Sequence, residues 1–286
     1  LRLLRGLRLA AQLEFTLEPD TAAAIRYHLP ELSHVAWERI CTEFLRLICS
    51  PGAGRILLDF PEMAAQVLPE LGPAVNFDQR NPHHRYDVYT HSVKALELVP
   101  PVPSLRLAAL LHDVGKPVTF TADWEGVGHF YGHAEAGVPL AEQALERLRV
   151  SRATRERVVM LVARHHLPVE NTRTWVGRWV RRLGSEALLE LLALKRADGL
   201  ACGTPAGEQE TLLQQAVEQI RALQAEGACL TLRELAVNGW DALSAGLEGP
   251  AVGTALRDLL DRVCQGLLPN DRTVLLRELD RLAGGM

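Results

Sequence analysis

Nearly every segment of the chain carries apolar residues at helical period, and the residues between segments predict where helices start and stop. Asp20 is placed to cap a helix through TAAAIRYHL. Ser33 is placed to start VAWERICTEFLRLIC, which runs out at Ser50-Pro51-Gly52. A helix pair is expected over 54–71, and the Pro-, Asn- and Gly-rich stretch 72–82 reads as a boundary. Beyond it, Asp87 caps a helix in which Val88, His91, Ala95 and Leu98 share one face. Ser104 is placed to cap LRLAALLHDV, with Gly115 in the C-terminal position that favours glycine. Residues 117–132 break the period and predict a small hairpin or lid. Helices resume over 133–149, 152–166, 172–183 and 185–198, followed by a Gly/Pro loop from Gly203 to Gly207. A helix over 208–226 and a last helical stretch complete the chain. The expected fold class is all-α in three parts, 1–78, 79–200 and 201–286, with no internal repeat.

Composition supports that picture. Aromatic residues make up only 5% of the chain, while Leu, Ala and Arg are abundant, which favours helix. No run of about 18 uncharged apolar residues suggests a membrane span, and LRLLRGLRLA lacks the apolar core and cleavage site of a secretion signal. Five cysteines, odd in number and without a CxxC pair, predict reduced thiols and a cytoplasmic protein. The net charge of −4 hides an uneven distribution: ten arginines against three glutamates between Leu145 and Leu183, with Arg2, Arg5 and Arg8 at the start. Such a patch attracts a polyanion, or it is a set of ordinary solvated helix faces.

The candidate chemistry lies in a series of imidazoles and carboxylates: His91, His112-Asp113, His133, His165-His166 and Asp198. A lone histidine on an apolar helix face is usually a core residue, but here the feature recurs. His165 shares a face with Val158, Leu161 and Val162, and Asp198 with Leu191 and Leu194. Inward carboxylates are costly unless paired or bound to metal. His and Asp are donors that first-row divalent ions and Mg accept, so two ions of Mn, Ni, Mg or Fe are the expected cofactor. Adjacent helical residues diverge by about 100°, so Asp113 could bridge two ions while His112 binds one. Lys116, three residues on, is placed either over a phosphate oxygen or as a charge complementing a helix C-terminus. Two close metals stabilise the attacking and leaving oxygens in phosphoester hydrolysis. His129 is a candidate pocket residue and His84 a candidate substrate contact; His83 is weaker, and His28 and His34 read as surface or packing residues.

The order His…His-Asp…His…His-His…Asp, with LLHDVGKP around the pair, resembles the HD superfamily of metal-dependent phosphohydrolases over roughly residues 83–200. The resemblance implies that His91, His112, Asp113 and Asp198 hold one metal. It implies that Asp113, His133 and His165, with His166 beside it, hold the second; His165 is favoured over His166. The flanks resemble something narrower. LRLLRGLRLAAQLEFTLEPDTAAAI is similar to the neck of class II bacterial tRNA nucleotidyltransferases, the CCA-adding enzymes and their poly(A) polymerase relatives. WERICTEFLRLI resembles their ERxxxEL motif, with Glu38, Arg39 and Glu43 in the matching places. NPHHRYDVYTHS, HFYGHAEAG and RHHLP are similar to the body, and LTLRELAVNGWDAL, GLEGPAVGTALRDLL and LLPNDRTVLL to the RNA-contacting tail. The family's catalytic head, with its paired-Asp site, has no counterpart. Arg2 matches the arginine of the Glu-Asp-x-x-Arg nucleotide template, whose Glu and Asp would lie before Leu1, so nucleotide addition is not expected from this chain alone.

Two functions follow. One is an HD phosphohydrolase acting on phosphoesters, with 2′,3′-cyclic phosphate or 2′-phosphate at RNA ends as the implied substrate. In it Asp113 bridges the metals, and Lys116 or His129 touches phosphate. The other is a binding body that grips tRNA or another RNA 3′ end, with Arg2, Arg5, Arg8, Arg39, Arg178, Arg181 and Arg182 as nucleotide- or RNA-binding candidates. A free-standing nucleotide phosphohydrolase, with a pocket lined by 117–132, is the lesser alternative.

Overall fold

The computed structural model describes residues 1–82, 85–202, 207–226 and 228–284; His83, His84 and most of the 203–207 loop lie outside the described residues. Among those described are sixteen α-helices and one two-stranded hairpin, so the fold is all-α apart from two short strands. None of these helices is long and apolar enough to cross a membrane.

The chain packs as two compact units, Leu1–Leu167 with Glu190–Ala206, and Pro168–Leu189 with Gly207–Met286. The first begins with α1 (Arg2–Gln12), α2 (Pro19–His28), α3 (Trp37–Ile48), α4 (Ala53–Asp59) and α5 (Pro61–Val67). It continues through α6 (Val88–Leu98), α7 (Pro103–Leu111) and the single turn α8 (Lys116–Thr119) to the hairpin of β1 (Thr121–Ala122) and β2 (Gly128–His129). The strands pair antiparallel with Thr121 opposite His129, within the segment expected to form a hairpin. α9 (His133–Leu148) and α10 (Arg152–Arg164) follow.

α7 is the central element. Leu105, Leu107, Ala108, Ala109, Leu110 and Leu111 are all at most 1% exposed, and the helix is packed by α3, α6 and α10. α3 also packs on α9, and α4 on α6. The expected boundary near residue 78 is therefore crossed by helix–helix packing and does not separate compact units. The second unit holds α11 (Arg173–Leu183), the first turn of α12 (Ser185–Ala201), α13 (Glu208–Ala225), α14 (Gly239–Ser244), α15 (Pro250–Cys264) and α16 (Arg272–Gly284). Its core gathers Leu235, Val237, Leu247, Leu259, Leu275 and Leu279. It starts earlier than residue 201 because α11 packs on α13 and α15.

Several helix starts differ from expectation for one reason. Proline at the first helical position needs no N–H and already has helical φ, so Pro19 and Pro103 set the starts that Asp20 and Ser104 were expected to set. Glu18 caps α2 by accepting from Thr21 N at 3.1 Å. Ser33 falls inside a 3₁₀ turn, and α3 begins at Trp37. Asp87 does cap α6, accepting from Thr90 N at 3.1 Å. Val88, His91 and Ala95 are buried on that helix, but Leu98 is 45% exposed because α6 ends there. Gly115 is not a left-handed terminator: its φ is −80°. Glycine is required there because a Cβ would lie 2.1 Å from the His133 carbonyl oxygen and 2.7 Å from Gly137 N.

Candidate metal centre

Five elements of the first unit converge on one cluster, largely buried but with His166 exposed. α6 supplies His91, and the turn after α7 supplies His112 and Asp113. α9 opens on His133, α10 ends into His165 and His166, and α12 supplies Asp198. The local reason is hydrophobic. α7 is buried along its length, so the turn that follows it emerges inside the core. Val158, Leu161 and Val162 are fully buried and draw the end of α10 to the same place. His91, His112, Asp113 and His165 are at most 1% exposed and His133 8%; Asp198 keeps a quarter of its side chain open to solvent.

The side chains form two groups that share one carboxylate. His91, His112, Asp113 and Asp198 have ligand atoms within 4.8 Å of one another, as do Asp113, His133, His165 and His166. Asp113 Oδ2 faces His112 Nε2 at 3.2 Å and His91 Nε2 at 3.5 Å. Its Oδ1 faces His133 Nε2 at 3.3 Å and His165 Nε2 at 3.7 Å. Asp198 Oδ1 closes the first group, 3.0 Å from His91 Nε2.

Whether a cation fits is decided by the protons. His112 Nδ1 donates to Ala109 O at 2.9 Å, His133 Nδ1 to Phe130 O at 2.7 Å and His165 Nδ1 to Val162 O at 2.7 Å. A carbonyl only accepts, so each Nδ1 carries the proton and a neutral ring turns a bare Nε2 lone pair inward. Those atoms crowd together: His133 and His165 Nε2 are 3.2 Å apart, His133 and His166 2.9 Å, His91 and His112 3.3 Å. Facing lone pairs repel unless a proton or a cation lies between them. Asp113 Oδ2 is buried and accepts no directed hydrogen bond, although Lys116 Nζ sits 2.7 Å away as an ion pair. The donor set and its unsatisfied oxygen fit divalent metal.

Electrostatics agree. Burial disfavours charge on His112, but the Asp113 and Asp198 carboxylates outweigh it and lift its pKa to about 10. Burial and the neighbouring His112 push His165 down to about 3, and burial and His133 lower His166. At both carboxyls burial raises the pKa, yet both are held well below the usual range, Asp113 chiefly by charge on His112 and Lys116 and Asp198 by hydrogen bonds from His112 and His91. Without a cation the two carboxylates therefore hold a proton on the first group.

The remaining candidates divide. Lys116 reaches the centre through Asp113. His129 does not join either group: its Nε2 is 3.0 Å from Asp123 Oδ2 and its ring stacks on Tyr131. Gln79, unflagged by the sequence, is 1% exposed and accepts from Lys116 Nζ at 2.9 Å; it lies in the stretch read as a boundary, where no periodicity marks an inward residue. Lys195 Nζ donates to His165 O at 2.6 Å and steadies the end of α10. Arg5 and Arg8 are turned onto Glu43. Much of the arginine-rich stretch is ion-paired: Arg147 with Glu70, Arg149 with Glu38, Arg152 with Glu156, Arg157 with Glu190, Arg173 with Glu226 and Arg181 with Asp261. Arg2, Arg39, Arg178 and Arg182 are exposed and make no ion pair among the described residues; Arg182 lies over the Trp179 ring at 5.3 Å.

A helical domain gathering His, His-Asp, His, His-His and Asp around one shared carboxylate defines the class: the chain carries an HD domain, whose family pattern matches residues 84–202. A second pattern, described as the probable RNA and SrmB-binding site of polymerase A, matches residues 14–74. Over most of its length the chain is homologous to tRNA nucleotidyltransferases. It is 34% identical over 276 residues to the A-adding tRNA nucleotidyltransferase of Deinococcus radiodurans, covering 91% of this chain and 63% of that protein. It is 37% identical over 279 residues to the CC-adding tRNA nucleotidyltransferase of Thermus thermophilus, covering 93% and 63%. The chain thus spans 63% of the length of these relatives. In fold it matches the CCA-adding enzyme of Bacillus stearothermophilus, solved with CTP, with a TM-score of 0.67 and 21% identity over 98% of this chain and 60% of that one.

Proposed function

We propose that the centre is a phosphohydrolase using two divalent ions, within the tRNA-binding portion of a tRNA nucleotidyltransferase. The observation that carries this reading is the split carboxylate of Asp113, one oxygen turned to each group of histidines. Two ions held there would supply a Lewis acid for a phosphoryl oxygen and a hydrolytic nucleophile from water at neutral pH. Asp113 and Asp198 supply the negative charge that retains them. The backbone carbonyls of Ala109, Phe130 and Val162 fix the rings so that Nε2 is the ligating atom. Lys116, three residues beyond Asp113, holds a buried ammonium 2.7 Å from Asp113 Oδ2, beside the centre.

The substrate proposed is a 2′,3′-cyclic phosphate or 2′-phosphate at an RNA end, because the relatives that match over 90% of this chain are tRNA nucleotidyltransferases. The test is to purify the protein, measure bound metal, and assay a 2′,3′-cyclic nucleotide with added Mn²⁺ or Ni²⁺. Metal-dependent hydrolysis that Asp113→Ala abolishes supports the reading. A metal-free wild type as inactive as Asp113→Ala removes it.

A second function, RNA binding, is favoured by the exposed Arg178 and Arg182, which make no ion pair among the described residues, and by the RNA-binding pattern over 14–74. Phosphate contacts make affinity fall steeply with salt, so tRNA affinity that barely changes with salt would exclude those arginines as a backbone clamp.

A further inference from the structure

Lys116 is only 4% exposed, and three groups surround its ammonium. One side is 2.7 Å from Asp113 Oδ2, another donates to Gln79 Oε1 at 2.9 Å, and a third faces the Phe130 ring, whose centre is 5.3 Å away. A buried ammonium left without partners is costly, so Gln79 and Asp113 share the task of holding it. Gln79 is itself fixed. Its Nε2 donates to Tyr86 O at 3.0 Å, and its backbone runs against the hairpin. Gly128 N donates to Arg80 O at 2.8 Å, and Asn81 Nδ2 donates to Gly128 O at 3.0 Å. The approach is so close that a Cβ at Gly128 would lie 2.1 Å from the Gln79 carbonyl oxygen.

We propose that Gln79 is a positioning residue: its side-chain oxygen holds Lys116 and so limits how strongly the ammonium competes with a divalent cation for Asp113 Oδ2. The inference rests on the reading of the centre as a metal site. Oδ2 is the oxygen turned to His91 and His112, and a cation taking it must displace or share it with Lys116. With Gln79 present, Lys116 keeps a neutral acceptor when the carboxylate turns to metal, and its ammonium stays beside the centre. Without Gln79, Asp113 is the acceptor that stays within 2.7 Å of the ammonium, which closes on the oxygen the metal needs.

The experiment is a double-mutant cycle read by Mn²⁺ affinity, using isothermal titration of the metal alone into the full chain. Gln79→Met keeps the volume and removes the acceptor; Gln79→Asn keeps the amide but draws its oxygen out of reach. Either is expected to weaken Mn²⁺ binding about tenfold, the lower end of what outer ligand partners contribute. In a Lys116→Met background the same substitutions are expected to change affinity less than twofold, because their effect runs through the ammonium. Thermal melting identifies any variant that has lost its fold. An equal loss in both backgrounds would show that Gln79 only supports the structure, and no loss in either would show that it does not hold Lys116; each overturns the inference while leaving the metal site standing. A wild type that takes up no Mn²⁺ overturns both.

Discussion

Removing the Glu43 carboxylate tests whether the first arginines of the chain belong to the fold. Glu43 is 5% exposed and ties α3 to α1: Arg8 Nε donates to Oε2 at 2.7 Å, while Arg5 Nε and Nη2 donate to Oε1 at 3.2 and 3.1 Å. The two ties are unequal. The Arg8 side chain is only 14% exposed and the Arg5 side chain 55%. A buried charge-assisted bond contributes about 1.5–3 kcal/mol, whereas an ion pair with one partner largely in water contributes under about 1 kcal/mol. Glu43→Ala, which also leaves Arg8 without its partner, should therefore cost about 3 kcal/mol, Arg8→Ala about 2 and Arg5→Ala less than about 1. For a unit of this size each kcal/mol lowers the melting midpoint by roughly 2–4 °C, so circular dichroism melts at pH 7 resolve the series. The sign with pH is fixed too. Burial raises the Glu43 pKa, but the hydrogen bonds from Arg8 and Arg5 outweigh it and hold the carboxyl below its ordinary range. The stabilisation is then complete above the unfolded value of about 4.3 and is lost as pH falls through the folded one. The gap between wild type and Glu43→Ala should be full at pH 7 and close in acid below about pH 4. A gap that widens in acid, or Arg5→Ala costing as much as Arg8→Ala, would refute the reasoning.

Other expectations concern the centre and the arginines. Gly115→Ala places a methyl against the His133 carbonyl, where 2.1 Å is available, and should cost about 2–3 kcal/mol in urea unfolding; a loss under about 0.5 kcal/mol would mean that α9 can move freely. Mn²⁺ at 100 times its dissociation constant should stabilise the protein by about 2.7 kcal/mol, reversed by chelator and absent in Asp113→Asn, and an unchanged melting curve would argue against a folded-state metal. Arg178→Ala with Arg182→Ala should flatten the salt dependence of tRNA binding by roughly one unit of slope for each phosphate no longer neutralised. Arg8→Ala should leave that slope unchanged, since Arg8 is engaged by Glu43.

How much of this is legible in the sequence depends on whether a residue's role is local. Asp87 caps α6 because the bond runs to Thr90, three residues away, and capping is a short-range pattern. Six of the seven His and Asp side chains are legible because their chemistry restricts what they can do away from solvent; His166 is exposed and is legible only by its place beside His165. Gly115 misleads, since the same residue answers two needs, a left-handed φ or a close approach, and only the position of the His133 carbonyl separates them. Gln79 gives no signal at all: its partner Lys116 lies 37 residues on, and glutamine in a loop is ordinary.

The arginines carry this distinction furthest. Ten of them between Leu145 and Leu183, against only three glutamates, read either as a polyanion-binding patch or as ordinary solvated helix faces. The carboxylates that neutralise many of them come from elsewhere: Glu70 for Arg147, Glu38 for Arg149, Glu190 for Arg157, Glu226 for Arg173 and Asp261 for Arg181. Local charge density therefore overstates the field available to RNA, and it does so because a helical fold brings distant acids to the surface of each helix. The arginines that make no ion pair among the described residues are fewer and more informative. Arg178 and Arg182 lie four residues apart on α11, one turn of helix, with Arg182 resting on Trp179. An arginine held over an aromatic ring loses less side-chain freedom when it engages a phosphate than one that is free in water. The RNA-facing reading is best tested at that pair, and the paired arginines serve as its internal control.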